Sequence, residues 1–168
     1  MKSTMKLMML IAFVFTAMGA SAQVKLGHID AQKLISIMPE TIAAQKEMEQ
    51  KQAEMEKELM GMQEKFQAEV ADYEKNAKTY SEAMLATKQQ DLQEMQQRIL
   101  RFQELASAEL KKKQQELMTP IINKAMEAIK TVGKENGFTY IHDQAALLYA
   151  ADNSEDILPL VKKKLGIQ

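Results

Sequence analysis

The chain has 168 residues, with 14 Met, 17 Gln, 6 Gly, 3 Pro, no Cys and no Trp, a composition of long helices rather than of a mixed enzyme core. Lys and Arg number 22 against 23 Asp and Glu, a formal net charge of −1, so nucleic acid meets no basic surface to neutralise it. Without Cys there is no disulfide, thiol chemistry or lipid-modified cysteine, and stability has to come from packing or assembly.

Lys2 and Lys6 precede an apolar run from Leu7 to Met18, and Ala20-Ser21-Ala22 has the A-x-A form of a cleavage site. That order predicts a secretory signal peptide over residues 1–22, its apolar run being too short to span a bilayer. The remaining 146 residues begin at Gln23 and carry 20 basic and 23 acidic side chains. Val24 to Asp30 reads as a short β-strand, so residues 23–38 are assigned to a base. Residues 39–118 form a charged Gln/Glu/Lys/Met-rich middle with Gly61 as its one glycine after the Pro39 start. Long helix is the only local structure that suits it.

Two apolar stripes run along this middle. The first, Met48, Gln52, Met55, Leu59, Met62, Phe66, Val70, Tyr73 and Ala77, advances about 3.6 residues per step. The second, Met84 or Leu85, Lys88, Leu92, Met95, Ile99, Phe102, Ala106 and Leu110, moves mostly by three and four. Residues 76–81 break the phase, and Thr79 with Glu82 three positions on has the form of a capping box that opens a second helix. The chain is predicted to reverse there into an antiparallel hairpin, with residue numbers summing to about 158 face to face: Tyr73 with Leu85, Phe66 with Leu92, Leu59 with Ile99, Met48 with Leu110. An arm so long and thin has no room for an active-site pocket.

Residues 119–168 return to the base. Thr119-Pro120 looks like an N-cap followed by Pro at the first helical position, so the returning helix is expected to kink or restart. Ile122, Ala125, Met126, Ile129 and Val132 then supply an apolar face that Asn136-Gly137 terminates. Phe138–His142 and Leu147–Ala150 are predicted to form a β-hairpin closed by residues 143–146. Pro159 opens a last short helix, with Lys162, Lys163 and Lys164 near its end and Gly166 after it. Three strands leave two unpaired sheet edges, which association of chains would remove while burying Leu26, Ile29, Tyr140, Leu147, Leu148 and Tyr149.

The ends of the chain resemble the Skp/OmpH family of periplasmic chaperones. The residues that carry the resemblance are Lys25-Leu26-Gly27-His28-Ile29-Asp30 with Gln32-Lys33 and Met38-Pro39-Glu40, then Met118-Thr119-Pro120-Ile121 and the stretch from Gly137-Phe138 to Leu148-Tyr149-Ala150. The middle is similar in pattern only. The resemblance implies a mainly α fold with a small β part: a long coiled-coil arm on a small β-barrel body completed by trimerisation. It also implies a periplasmic location and a cavity between three arms for unfolded outer-membrane proteins. Two departures stand out. Better-known members are strongly basic and this chain is not, which weakens any carry-over of charge-driven binding to acidic clients, lipopolysaccharide or anionic membrane. His28 stands where the family often has an aromatic or aliphatic residue.

Candidate client-binding residues are Met60, Met84 and Tyr80, which lie off the seam or at the turn, and Met55, Met62 and Phe66 on it. Flexible, polarizable Met suits a surface that adapts to many clients, although for the seam residues the favoured role is only to hold the hairpin together. His28 and His142 lie on predicted strands, but neither has a Cys or a second His at ligand spacing, so no metal site is assigned. Neither G-x-x-x-x-G-K-[ST] nor G-x-S-x-G occurs, and no enzyme activity or cofactor is expected. The favoured reading is an ATP-independent holdase. The alternative is a structural periplasmic coiled-coil adaptor that binds one folded partner.

Overall fold

The computed structural model describes residues 24–151 and 153–167; the predicted signal peptide lies outside them. β1 (Leu26–Ile29) is the middle strand of a three-stranded, all-parallel sheet. Its neighbours are β2 (Tyr140–Asp143) on one side and β3 (Glu155–Asp156) on the other. Leu26 pairs with Tyr140, His28 with His142, and Ile29 with Asp143, while Gly27 and His28 pair with Glu155 and Asp156. Parallel neighbours require long crossovers, and between β1 and β2 that crossover is the whole helical arm.

Asp30 ends β1 and caps α1 (Ala31–Ser36) by accepting the Lys33 N–H at 2.8 Å. Pro39 opens α2 (Pro39–Asn76), where its missing N–H costs nothing. The chain reverses over residues 77–81, and α3 (Glu82–Glu135) runs back 54 residues to the base. Among the described residues no helix is long and apolar enough to cross a membrane.

Four local expectations are corrected. The strand predicted from Val24 to Asp30 is confined to Leu26–Ile29. Thr79 does not cap α3: its hydroxyl donates to the Asn76 carbonyl at 2.7 Å. The cap is Ser81, whose Oγ accepts the Met84 N–H, which leaves Glu82 as the first helical residue instead of the third. α3 does not restart at Pro120. Thr119 sends its hydroxyl to the Gln115 carbonyl at 2.7 Å, as a helix-interior Thr does, and the helix passes through the proline because Ile121, Ala125, Ala128, Ile129 and Val132 immediately after it are buried in the base.

The fourth correction concerns the β-hairpin, which is absent. The Asp143 carboxylate captures the Ala145 N–H at 3.1 Å and starts a 3-10 turn over Gln144–Ala146, and the apolar Leu147–Ala150 stretch pairs with nothing in the sheet. The third strand is the acidic pair Glu155–Asp156, fixed by the Ile157 N–H on the His28 carbonyl at 2.9 Å. Asp156 Oδ1 then accepts the Leu158 N–H at the start of α4 (Leu158–Leu165), which carries Lys162–Lys164 in its last turn and ends on Gly166 at φ +71°.

The core lies where α1, the roots of α2 and α3, and α4 meet one face of the sheet. Leu34, Met38, Ile157 and Val161 are its largest fully buried side chains. Close packing explains two glycines: a Cβ on Gly27 would stand 2.8 Å from the Phe138 ring, and one on Gly133 would stand 2.8 Å from Ile141 Cδ1.

Candidate functional site

From Gln45 to Pro120 no residue is buried; even the seam is only half-buried. A helix that meets a single neighbour can cover one stripe and no more, so Met48, Met55, Leu59, Met62, Phe66, Leu92, Met95, Ile99 and Phe102 all remain within reach of solvent. Between them the seam leaves open notches, one of about 190 Å³ lined by Met62, Lys65, Met95, Arg98 and Ile99. Another, of about 290 Å³, is bounded by Met55, Leu59, Phe102 and Leu110 among others.

What the apolar stripe leaves unfinished, ion pairs complete along its edges. Lys51 reaches Glu109 at 2.8 Å, Lys88 reaches Glu69 at 2.8 Å, and Lys113 reaches Glu47 at 2.6 Å. Lys124 holds Glu40 at the root. Lys51 with Glu109 and Lys113 with Glu47 each sum to 160, a register close to the one read from the stripes. At the tip Asp72 accepts from Tyr80 Oη at 2.9 Å and from the Asn76 amide at 2.8 Å, with Lys88 Nζ at 3.5 Å. The Tyr80 hydroxyl is the main reason the Asp72 carboxyl is held below the usual range, with Asn76 and Lys88 adding to it; the same bond raises the Tyr80 phenol.

The structure separates the candidate client-binding residues. Met60 is 58% exposed and Met84 is 47% exposed, both off the seam. Met55, Met62 and Phe66 are half-buried in it. Tyr80, read as free to touch a partner, is instead half-buried and committed to Asp72. Sequence reasoning missed Asp72 altogether; the signal was Lys88, a cation inside an apolar stripe that needed an acid opposite it.

At the base, one sheet face is covered by helices and the other only in part, over His28. Leu26, Tyr140 and His142 are exposed there, with the Tyr140 and His142 rings 6.2 Å apart. Leu148 and Tyr149 stand almost wholly in solvent nearby in sequence. Leu147 is half-buried. Ile29 is 2% exposed and already belongs to the core of one chain, so it is removed from the candidate association surface. His28 and His142 are indeed strand neighbours. His28, however, is buried with Nδ1 3.0 Å from Ser154 Oγ, and no group of three or more His, Cys, Asp or Glu that could hold a metal occurs among the described residues.

Comparison with known proteins bears on both regions. The chain is 23% identical over 164 residues to the chaperone protein Skp of Yersinia enterocolitica, covering 96% of this chain and 99% of that protein. Its fold matches the crystal structure of an OmpH-like protein of Caulobacter crescentus, described as an outer membrane chaperone, with a TM-score of 0.77 at 16% identity, over 87% of this chain and 86% of that one. These relatives are chaperones and not enzymes. Residues 25–165 match the sequence profile of outer membrane protein (OmpH-like), a span that takes in the sheet, the arm and the last helix, and the chain belongs to that OmpH-like family.

Proposed function

We propose that this chain is an ATP-independent holdase of the periplasm, exported by the signal at residues 1–22, that shields unfolded outer-membrane proteins from aggregation. The observation that carries the reading is the arm: α2, 38 residues and roughly 57 Å of helix, pairs along α3 with no buried residue from Gln45 to its end at Asn76. Each apolar group it offers a client contributes only roughly 1.5–3 kcal/mol when fully covered. Holding a client therefore needs many weak contacts from several arms around a shared cavity.

Assembly into a trimer through the base supplies those arms. Parallel sheets are rarely left open on a face, and Leu26, Tyr140, Leu147, Leu148 and Tyr149 offer apolar and aromatic area for a second copy, as the strand edges offer unpaired backbone groups. Nucleotide-driven release has no motif in the sequence. A client leaves when its own folding or membrane insertion becomes more favourable than staying bound.

The test is dilution of a denatured outer-membrane β-barrel protein into buffer with the purified chain, followed by light scattering. Suppression of scattering near stoichiometric concentration is expected, with the chain sedimenting as three copies. Unchanged aggregation would overturn the holdase reading, and a monomer would overturn the assembly. Capture of one folded protein in place of a mixture of unfolded barrel precursors would favour the adaptor.

A further inference from the structure

We propose that the mid-arm notch between Met62 and Met95 is a subsite for one kind of client segment: an unfolded stretch in which Asp or Glu lies within two residues of a large apolar side chain. This rests on the holdase reading above and adds a chemical preference to it.

The cations that reach between the two arm helices are otherwise neutralised, Lys51, Lys88, Lys113 and Lys124 each ending on a carboxylate. Lys65 and Arg98 line the notch, and neither has a carboxylate within ion-pair distance among the described residues. Glu94, one turn before Arg98, instead accepts from the Gln90 amide at 3.0 Å. Arg98 and Arg101 are the only arginines in the chain, and at a spacing of three they share a helix face. A protein without net positive charge thus places one of its two guanidinium groups, that of Arg98, beside a gap walled by two thioethers and Ile99.

The two halves of the site select together. An apolar cavity of about 150 Å³ takes up benzene, so a notch of about 190 Å³ admits one aromatic or branched side chain and not a folded surface. Met62 and Met95 adapt to its shape. The planar, always charged guanidinium of Arg98 matches a carboxylate fork, with the Lys65 ammonium as a second, mobile charge. Both cations are exposed, so the pair adds selectivity more than affinity.

The experiment uses the full chain and two fluorescein-labelled short peptides that differ in one residue, Phe followed two positions later by Asp or by Asn. Fluorescence anisotropy is expected to show the Asp peptide bound roughly three- to fivefold tighter, the size of one exposed ion pair. Arg98→Gln should abolish that preference with helical circular dichroism unchanged. Lys57→Gln, the same charge change at an exposed site away from the notch, should keep it. Equal binding of the twins, or a preference that survives Arg98→Gln, overturns the subsite. So does Arg98→Gln abolishing binding to phosphatidylglycerol vesicles while leaving the peptide preference intact, which would make the notch a lipid site. If the peptides are not distinguished but the chain still suppresses aggregation of a denatured outer-membrane protein, the subsite falls alone. If the wild-type chain suppresses nothing, the holdase reading falls and takes the subsite with it.

Discussion

The base and the arm solve opposite packing problems with similar residues. In the base, Leu34, Met38, Ile157 and Val161 vanish from solvent because parts of four helices and a sheet close on them. In the arm, Met55, Met62, Phe66 and Ile99 face one neighbouring helix and stay half-open. The same methionine that is immobilised at position 38 is left adaptable at position 62. Burial, not residue type, decides which region is an anchor and which is a surface, and local opening is cheap where few apolar contacts must break.

The sharpest way to break this comparison is in the base. Leu34→Ala leaves a cavity at a fully buried site and is expected to cost about 2–5 kcal/mol, read as a fall in the denaturant midpoint. A loss below about 1 kcal/mol would mean that the base is not the anchor. Pro120→Ala probes the junction. It restores an interior helix N–H at an exposed position, and stabilisation of up to about 3 kcal/mol is expected. Destabilisation would show that the proline's own packing beside Ile121 and Lys124 outweighs the missing bond.

The junction also marks where sequence stopped being legible. The antiparallel pairing could be read because period and phase are properties of a long run: the break between Ala77 and Leu85 locates the reversal, and cross-arm pairs such as Lys51–Glu109 and Lys88–Glu69 follow its register. Single-residue decisions were harder. Thr79 and Ser81 are both competent caps, and the choice depends on which carbonyl the tip brings within reach. Pro120 reads as a helix start by local rules, yet burial of Ile121, Ala125 and Val132 overrides them. Leu147–Ala150 has strand-like composition but lies outside the sheet, while Glu155–Asp156, with little strand propensity, lies inside it because the His28 carbonyl and the α4 N-terminus hold its C-terminal end. The cationic notch was invisible because unpaired charge is a fact about neighbours in space.

A smaller effect sharpens the contrast from the arm. Met55→Ala removes a side chain that is only half-covered and should cost under about 1 kcal/mol. Hydrogen exchange is the informative measurement: protection should drop along α2 and the facing part of α3 while the amides of Leu34 and Val132 keep theirs. Loss of protection in the base as well would mean that arm and base unfold as one unit.

The smallest expected effect is none at all. The Glu40 carboxyl is held below its ordinary range by the Lys124 ammonium and Asp72 by the Tyr80 hydroxyl, while Lys51, Lys88 and Lys113 are raised by their bonds to Glu109, Glu69 and Glu47. A lowered carboxyl stabilises above its unfolded value, about 4, and that contribution disappears as pH falls through the folded one; a raised ammonium stabilises below about 10.4 and loses it as pH rises through the folded one. Neither window touches the range from about pH 5 to 9. The chain's two histidines, His28 and His142, are both in the base, so the arm holds none. Arm protection factors should therefore be flat across that range. A response along α2 or the tip would require a titrating group where these ion pairs leave none, and would mean that the arm's ends are held by something other than the clasps at Asp72 and Glu40.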